Sequence, residues 1–516
     1  MAHTAPQAFW PLTIHSCQGN DELRFEDDIV LEPTSLDLDS SLIVEAQVDP
    51  ADPATAHSLA WIGDRTRGQR GGLRWLVKFP SPPARPGQRL LWTMALIARG
   101  TDGVLIPQVA QNDGAVILGG AEAHADSANL SAAAGTVAKS VASESARTAS
   151  RRVLGMIPPD SVSEVGRVSR SWRETVDLVR ALARLGSVEG QTYEADVAIV
   201  VDSDSARHQE RAQAWHRTLW EAGFATDIVA RDAGLDGYKL VIVPAVAVDD
   251  PVFARNLARA VEAGSQILVE GPTGTVSPEG KTVRGGYLGS LKTLLGVRVV
   301  GCTASADHPA RSAWADDASA VLVNRLTRAV GTPAAQTWIG LTSDSSPLLR
   351  ALDAIATPMP DLRAGTWVED ILPVGHGIDP DDPNPLWPAN IDIVATYDGR
   401  GAGADLAGRP AVTRRRSDTG GGAAWYAACD LNAVSRAALV RVLAAHARLQ
   451  PVLAELPDGV EAQRRGNILF LLNHGDKARE LSGISGTDLM SGAECTGHVL
   501  LAPRSALVVA QTRTVQ

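Results

Sequence analysis

Cysteine is scarce in this sequence: there are four in 516 residues, Cys17, Cys302, Cys429 and Cys495, and no two form a CxxC pair. That excludes a zinc ribbon and a disulfide framework, and the thiols are expected to be small buried hydrophobes. No unbroken apolar run approaches the roughly 18 residues of a membrane span. Met1 to Trp10 lacks a basic segment followed by an apolar one, so a cytoplasmic location is expected. Positive charge is in deficit: 48 Lys and Arg against 59 Asp and Glu leave a net charge of −11 and a sequence pI near 5.5. The average field repels phosphate backbones and anionic membrane surfaces, which argues against nucleic-acid and membrane partners. Aromatics are few and skewed, with 12 Trp against 5 Tyr and 6 Phe. Exposed tryptophan faces are platforms for sugar rings, although most are expected in cores.

Apolar residues are plentiful: 45% of the chain is hydrophobic and 21% charged, the composition of a globular protein with several cores. At roughly 100–200 residues per domain, the length suggests about three to five domains. From Trp10 to about Leu185, short apolar runs alternate with helical ones. Strand candidates at Pro11–Ile14, Ser41–Val44, Arg74–Val77 and Gly103–Ile106 are interleaved with helices over Ala56–Arg67 and Pro86–Arg99. Pro86 suits a first helical position and Gly100 a stop. Such alternation implies a parallel sheet or part of a barrel, and a full eight-unit barrel needs about 250 residues, more than this segment holds. Residues 121–150, rich in Ala, Ser and Thr, read as a flexible insertion, and Ser171–Leu185 regains helical spacing through Trp172, Val176, Val179 and Leu182.

A second region opens at Asp196. The continuous apolar run Val197–Val201 predicts a buried parallel strand, followed by a helix over Ala206–Ala222 and strands over Thr226–Ala230 and Lys239–Val246. A helix between Pro251 and Gly264 then leads to a strand over Gln266–Glu270. Ile391–Tyr397, Pro410–Arg416 and Ala423–Cys429 extend the same sheet and Val434–Leu449 closes it, as in a doubly wound α/β domain. From Gly459, short strands such as Ile468–Leu472 and His498–Leu501 follow without helices, as in a small antiparallel β domain.

Val197–Val201, Leu235–Pro244, Gly285–Leu288, Gly408–Arg414, Ala424–Tyr426, Phe470–His474 and Asp488–Gly492, in that order, resemble glycoside hydrolase family 42, the bacterial β-galactosidases. Upstream, Arg85–Gln88 with Leu91 and Trp92, Gly100–Val104, and Gln108 resemble the last two β/α units of that family's barrel. Leu59–Gly72 resembles the helix and turn before its seventh strand. The resemblance implies an α/β chain in three parts: a partial (β/α)8-type barrel over residues 1–190, a doubly wound amidotransferase-like (flavodoxin-like) trimerisation domain over 196–450, and an antiparallel β domain over 459–516. It implies a homotrimer, a galactoside ligand and no cofactor.

Retaining glycosidases need two carboxyl groups about 5–5.5 Å apart, one as acid/base and one as nucleophile. The family places them after its fourth and seventh barrel strands, the acid/base glutamate following an Asn. This chain begins too late to hold the fourth strand, and it contains no Asn-Glu dipeptide. The seventh strand corresponds to Trp75–Phe79, so the nucleophile falls at or beside Phe79, whose benzyl group cannot attack an anomeric carbon. An alternative registration puts Asp64 there, but the spacing of Arg67-Gly68 and Gly71-Gly72 favours Phe79, which leaves Asp64 as a solvated helix residue. The following loop is shortened to Pro80–Ala84. Gln108 keeps one sugar-binding position, whereas Val109, Ala110, Val116 and Gly119 replace the polar residues that grip galactose. No catalytic residue and no metal ligand is therefore assigned. The expected function is that of a β-galactosidase-like protein, catalytically impaired and retaining its oligomerisation. The alternative is an active enzyme on terminal β-D-galactosides that recruits Glu45, Asp64 or Asp113, and a third reading is a fragment whose other barrel half is encoded upstream.

Other motifs are weaker. Gln266–Glu270 runs into Gly271-Pro272-Thr273-Gly274 without a cysteine, which argues against glutaminase chemistry. Gly271 and Gly274 read as a tight connection more readily than as an anion-binding turn. Asp202 and Asp204 read as a helix-capping loop, Asp379, Asp381 and Asp382 as an exposed Pro-rich loop, and His474 as a strand-end polar residue. Arg414, Arg415 and Arg416 alternate faces on a strand, which does not suit RNA binding.

Overall fold

The computed structural model describes residues 13–14, 41–52, 54–69, 74–79, 85–106, 170–188, 190–201, 206–283, 287–304, 321–324, 362–375, 386–397, 406 and 408–511. The chain divides into two compact units, residues 1–193 together with 456–516, and residues 194–455. The insertion expected over 121–150 lies outside the described residues.

The first unit begins with strand β1 (Thr13–Ile14), β2 (Ser41–Glu45), helix α1 (Thr55–Gln69), β3 (Arg74–Lys78), α2 (Gln88–Ala98), β4 (Gly103–Ile106) and α3 (Arg170–Arg184). The four strands form one parallel sheet in the order β1-β4-β3-β2. Helix α2 starts two residues later than Pro86 suggests. Gly87 takes the left-handed region at φ 81°, where a Cβ would lie 2.6 Å from the Arg504 carbonyl oxygen, so Pro86 stands in the preceding turn. Gly100, at φ 98°, ends the helix as expected. Helix α2 is apolar on every side because it is covered on every side. Trp92 and Leu96 pack with Trp75, Val77 and Val104, while Leu91, Met94 and Ile97 pack with Leu178, Leu182 and Phe470.

The second unit holds β5 (Val197–Val201), α4 (Ala206–Glu221), β6 (Thr226–Ala230), β7 (Leu240–Pro244), α5 (Pro251–Glu262), β8 (Gln266–Glu270), α6 (Lys292–Leu295), β9 (Val297–Ala304), β10 (Val321–Asn324) and β11 (Leu362–Pro373). It continues with β12 (Ile391–Tyr397), β13 (Pro410–Arg416), β14 (Ala423–Ala427), β15 (Cys429–Leu431) and α7 (Ala433–Ala447). They build an 11-stranded sheet whose parallel part runs β14-β8-β7-β5-β6. Strands β5, β7, β8 and β14 are buried along their whole length, as two-sided cover requires. Asp250 caps α5 through the Val252 amide at 2.7 Å, with Pro251 in the first turn, and Asn432 caps α7 through Ser435 at 2.9 Å. The rest of the sheet is antiparallel: β13, β12, β10 and β11 in turn, with β9 and β15 on β11. The arm made by β9 and β11 is not foreseen from the sequence.

The chain returns to the first unit with β16 (Val460–Arg465), β17 (Ile468–Asn473), β18 (Arg479–Asp488), β19 (Glu494–Leu501) and β20 (Ser505–Ala510). This antiparallel sheet runs β16-β17-β20-β18-β19, and Ile468, Phe470, Leu472 and Val508 pack against α2. Among the described residues no helix is long and apolar enough to cross a membrane. Trp75, Trp215 and Trp425 lie in cores. Of the described cysteines Cys429 is buried, Cys495 half-buried and Cys302 exposed. Cys302 departs from the expectation because it sits on the β9 arm and not in a core strand.

Candidate functional site

The C-terminal ends of the parallel strands in the first unit are where a barrel carries its chemistry. Successive residues of β3 face opposite sides of the sheet. Trp75, Val77 and Phe79 share the face covered by helices α1 and α2, in one apolar cluster with Leu59, Trp92 and Leu96. Phe79 is 7% exposed, and its ring centroid lies 5.9 Å from that of Trp92. The other face presents Lys78 at the end of β3 and, opposite it in register, Glu45 at the end of β2. Their charged groups are 3.8 Å apart and both side chains are exposed. Glu45 is the carboxylate that the described residues bring to these strand ends, and a cation is its neighbour. Gln108, Asp113, Val116 and Gly119 lie outside the described residues, as do Asp202, Asp204, Asp379, Asp381 and Asp382.

Asp64 corrects the sequence reading. It is 3% exposed and not solvated. Its carboxylate faces Arg67 Nη2 at 2.9 Å and Arg99 Nε at 3.2 Å. Gly63 makes room for this arrangement, since a Cβ there would lie 2.6 Å from Arg99 Cδ. Arg99 also pairs with Glu461 on β16, and Glu461 Oε2 is 3.0 Å from His474 Nε2. The Arg67 guanidinium lies 3.6 Å from the centroid of the Tyr193 ring, and Tyr193 donates to Gln463 at 2.9 Å. Burial alone would raise the Glu461 carboxyl, but Arg99 and His474 outweigh it and hold its pKa at about 2. Burial would likewise lower Arg99, yet Glu461 and Asp64 raise it. Two acids thus lie buried against two guanidinium groups, which makes a structural tie and leaves neither acid available as nucleophile or acid/base. His474 follows the end of β17, as a strand-end polar residue.

The second unit buries a different set. Glu270, the last residue of β8, accepts from Trp215 Nε1 at 3.0 Å and lies 3.9 Å from Arg211. Glu369 on β11 accepts from Trp367 Nε1 at 3.0 Å and from the Tyr426 hydroxyl. Arg211 donates to the Gly271 carbonyl at 2.6 Å and approaches Asp430 at 3.8 Å. Burial raises both glutamates above the usual carboxylate range, against the pull of Arg211. Burial and the acids around it push the Cys429 thiol up as well, the opposite of what a nucleophilic thiolate needs. The Gly271 and Gly274 amides already donate to the Ala427 and Val246 carbonyls, in keeping with a tight connection. Sequence reasoning missed Glu369 because β11 itself was not foreseen; an acid placed between Val368 and Ile371 in Trp367–Leu372 was the available signal. Among the described residues no three His, Cys, Asp or Glu side chains are grouped to hold a metal ion.

The family model of the β-galactosidase trimerisation domain matches residues 191–345, and that of the β-galactosidase C-terminal domain matches 459–511. These matches support a family 42 β-galactosidase-like protein. A curated β-galactosidase from Arthrobacter sp. is 28% identical to it over 477 residues, 87% of this chain and 54% of that protein. One from Heyndrickxia coagulans is 23% identical over 85% of this chain and 53% of its own length. The chain thus spans about half the length of these relatives. A solved β-galactosidase from Bacillus circulans sp. alkalophilus superposes with a TM-score of 0.64 at 19% identity, covering 91% of this chain and 60% of that one. A family 42 β-galactosidase structure from G. stearothermophilus gives 0.65 at 17% identity over 92% and 59%. These superpositions show a shared fold.

Proposed function

We propose that this family 42 chain is a β-galactosidase-like protein of carbohydrate metabolism that does not hydrolyse galactosides and keeps the self-associating part of its relatives. The single observation that carries this reading is the end of β3. There Phe79 is sunk into the helix-side apolar cluster and Lys78 faces the other way beside Glu45, so the position of the nucleophile offers no carboxylate. Residues 1–190 act as a partial barrel-like domain, in which Gln108 is a remaining sugar contact. Residues 196–450 act as an amidotransferase-like trimerisation domain without glutaminase chemistry, and residues 459–516 as a β domain. Self-association is supported by the trimerisation family match; the resulting ring is cyclic and heterologous, each copy using two different patches.

Incubation of the purified full chain with a nitrophenyl β-galactoside tests this directly. The expected result is no nitrophenol release above the uncatalysed rate, with or without Glu45→Gln. Turnover in the parent chain that disappears in Glu45→Gln would overturn the reading in favour of an active enzyme with a recruited carboxylate.

A further inference from the structure

The parallel sheet of the first unit is open along β2. That strand pairs with β3 on one side, from Ser41 opposite Arg74 to Glu45 opposite Lys78, and on its other side no strand among the described residues pairs with it. Parallel strands are ordinarily covered on both faces. Here Leu42 is 39% and Ile43 43% exposed, although they point to opposite faces and their register neighbours Trp75 and Leu76 are buried. Exposure therefore follows the edge and not one face. Folded proteins blunt such edges with charge, proline, bulges or brevity. The other terminal strands of the three sheet orders follow that rule: β1 is two residues long, β6 carries Asp227, β15 Asp430, β16 Arg464 and β19 Glu494. Strand β2 has no proline, no glycine and no basic residue, and its single charge, Glu45, stands at the last position beside Lys78.

An open apolar edge takes another strand, whose backbone amides and carbonyls complement its own. The sequence of β2 suits a second copy of itself. In an antiparallel pair centred on Ile43, Ile43 meets Ile43, Leu42 meets Val44, and Ser41 meets Glu45. Each aliphatic residue then faces an aliphatic residue. The charges are compatible as well, because each Glu45 faces a neutral serine and the two glutamates stand at opposite ends of the ladder. Centring on Leu42 or Val44 instead would set Ile43 opposite Ser41 or Glu45 and shorten the ladder. Centring between two residues would turn the helix-covered face of one copy to the other side of the sheet. We propose that β2 pairs antiparallel with β2 of a second copy, centred on Ile43, so that two four-stranded sheets become one of eight strands. The contact lies in the first unit, outside residues 191–345, and is independent of the self-association read above.

Disulfide trapping in the full chain tests both the pairing and its register. Directly opposed residues of an antiparallel pair lie about 4.5–5.5 Å apart at Cα, within disulfide reach. Ile43→Cys is placed on a background carrying Cys302→Ser and Cys495→Ser, which removes the exposed and the half-buried thiol. After mild oxidation it is expected to run on a non-reducing gel as a linked dimer of twice the 54.3 kDa chain. Linking should be about tenfold faster than in the background alone or in Leu42→Cys, which faces Val44 and not itself. A Leu42→Cys chain mixed with a Val44→Cys chain is expected to link to it about tenfold faster than either links to itself. Far-ultraviolet circular dichroism checks the fold, and if Ile43→Cys misfolds, this mixed pair decides. Equal linking of Ile43→Cys and Leu42→Cys would mark chance collision and overturn the proposal. An unlinked Ile43→Cys thiol would overturn it too: free labelling by a maleimide would show the edge open, and shielding from the maleimide would show another segment lying on it.

Discussion

The two units bury their acids in opposite ways. In the first, Asp64 and Glu461 lie against Arg67 and Arg99, charge against charge, and Glu461 is held at about 2. In the second, Glu270 and Glu369 are met mainly by neutral donors, Trp215, Trp367 and Tyr426, with Arg211 as the near cation, and burial raises both. Burial by itself says little about whether a carboxylate stays charged; the partner decides. A fully compensated pair is a structural tie that chemistry cannot use, and an under-compensated pair works against the fold at neutral pH.

The contrast can be broken most forcefully at Arg99. Arg99→Met removes the guanidinium that the buried Asp64 and Glu461 carboxylates share, and the expected loss is about 3–5 kcal/mol, read as an earlier urea transition of the first unit. The pH response sharpens it. Glu461 has a folded pKa of about 2 against an ordinary 4.5, so its contribution is complete above about 4.5 and is lost as pH falls toward 2. The loss is on the order of 3 kcal/mol, and Glu461→Gln should abolish that acid-dependent step in calorimetry. For Glu270 and Glu369 the sign reverses. Their raised folded pKa values mean that the charged forms cost stability as pH rises above the ordinary carboxylate value, so mild acidification should stabilise the second unit while the first is unchanged. Gly271→Ala would place a Cβ 2.5 Å from Glu369 Oε2, and a loss of about 1–3 kcal/mol confined to the second unit is expected in the same denaturation series. The smallest effect is Asp250→Ala, which removes the α5 cap for about 1 kcal/mol, measurable as a modest shift in the same transition.

Local signals made much of the fold legible. Val197–Val201 and Gln266–Glu270 are unbroken apolar runs, and they became strands with those same limits because helices cover both faces of the sheet. Asp250-Pro251 and Gly264 mark the ends of α5 through backbone chemistry that needs no distant partner. The β9–β11 arm was not legible, because its register is set by residues about 70 apart, Trp367 opposite Ala304 and Pro373 opposite Val297, and Glu369 breaks the apolar pattern of its strand. Asp64 misled for the same reason. A lone acid in a helix reads as solvated, and its partner Arg99 on the next helix meets it only in the folded chain. The candidate site was half legible: the strand carrying Phe79 was located, but the side that each residue faces follows from the helix packing of Trp75, Val77 and Phe79.

On the proposed reading, Glu45, the carboxylate that the described residues bring to the sheet ends of the first unit, does not attack a sugar. A retaining glycosidase passes through a covalent glycosyl-enzyme intermediate, which an activated 2-deoxy-2-fluorogalactoside would trap. Intact-mass spectrometry of the full chain after prolonged incubation with such a reagent is predicted to show the unmodified mass. A single added fluorogalactosyl group, mapped by peptide digestion to Glu45 or another acid of the first unit, would contradict the account.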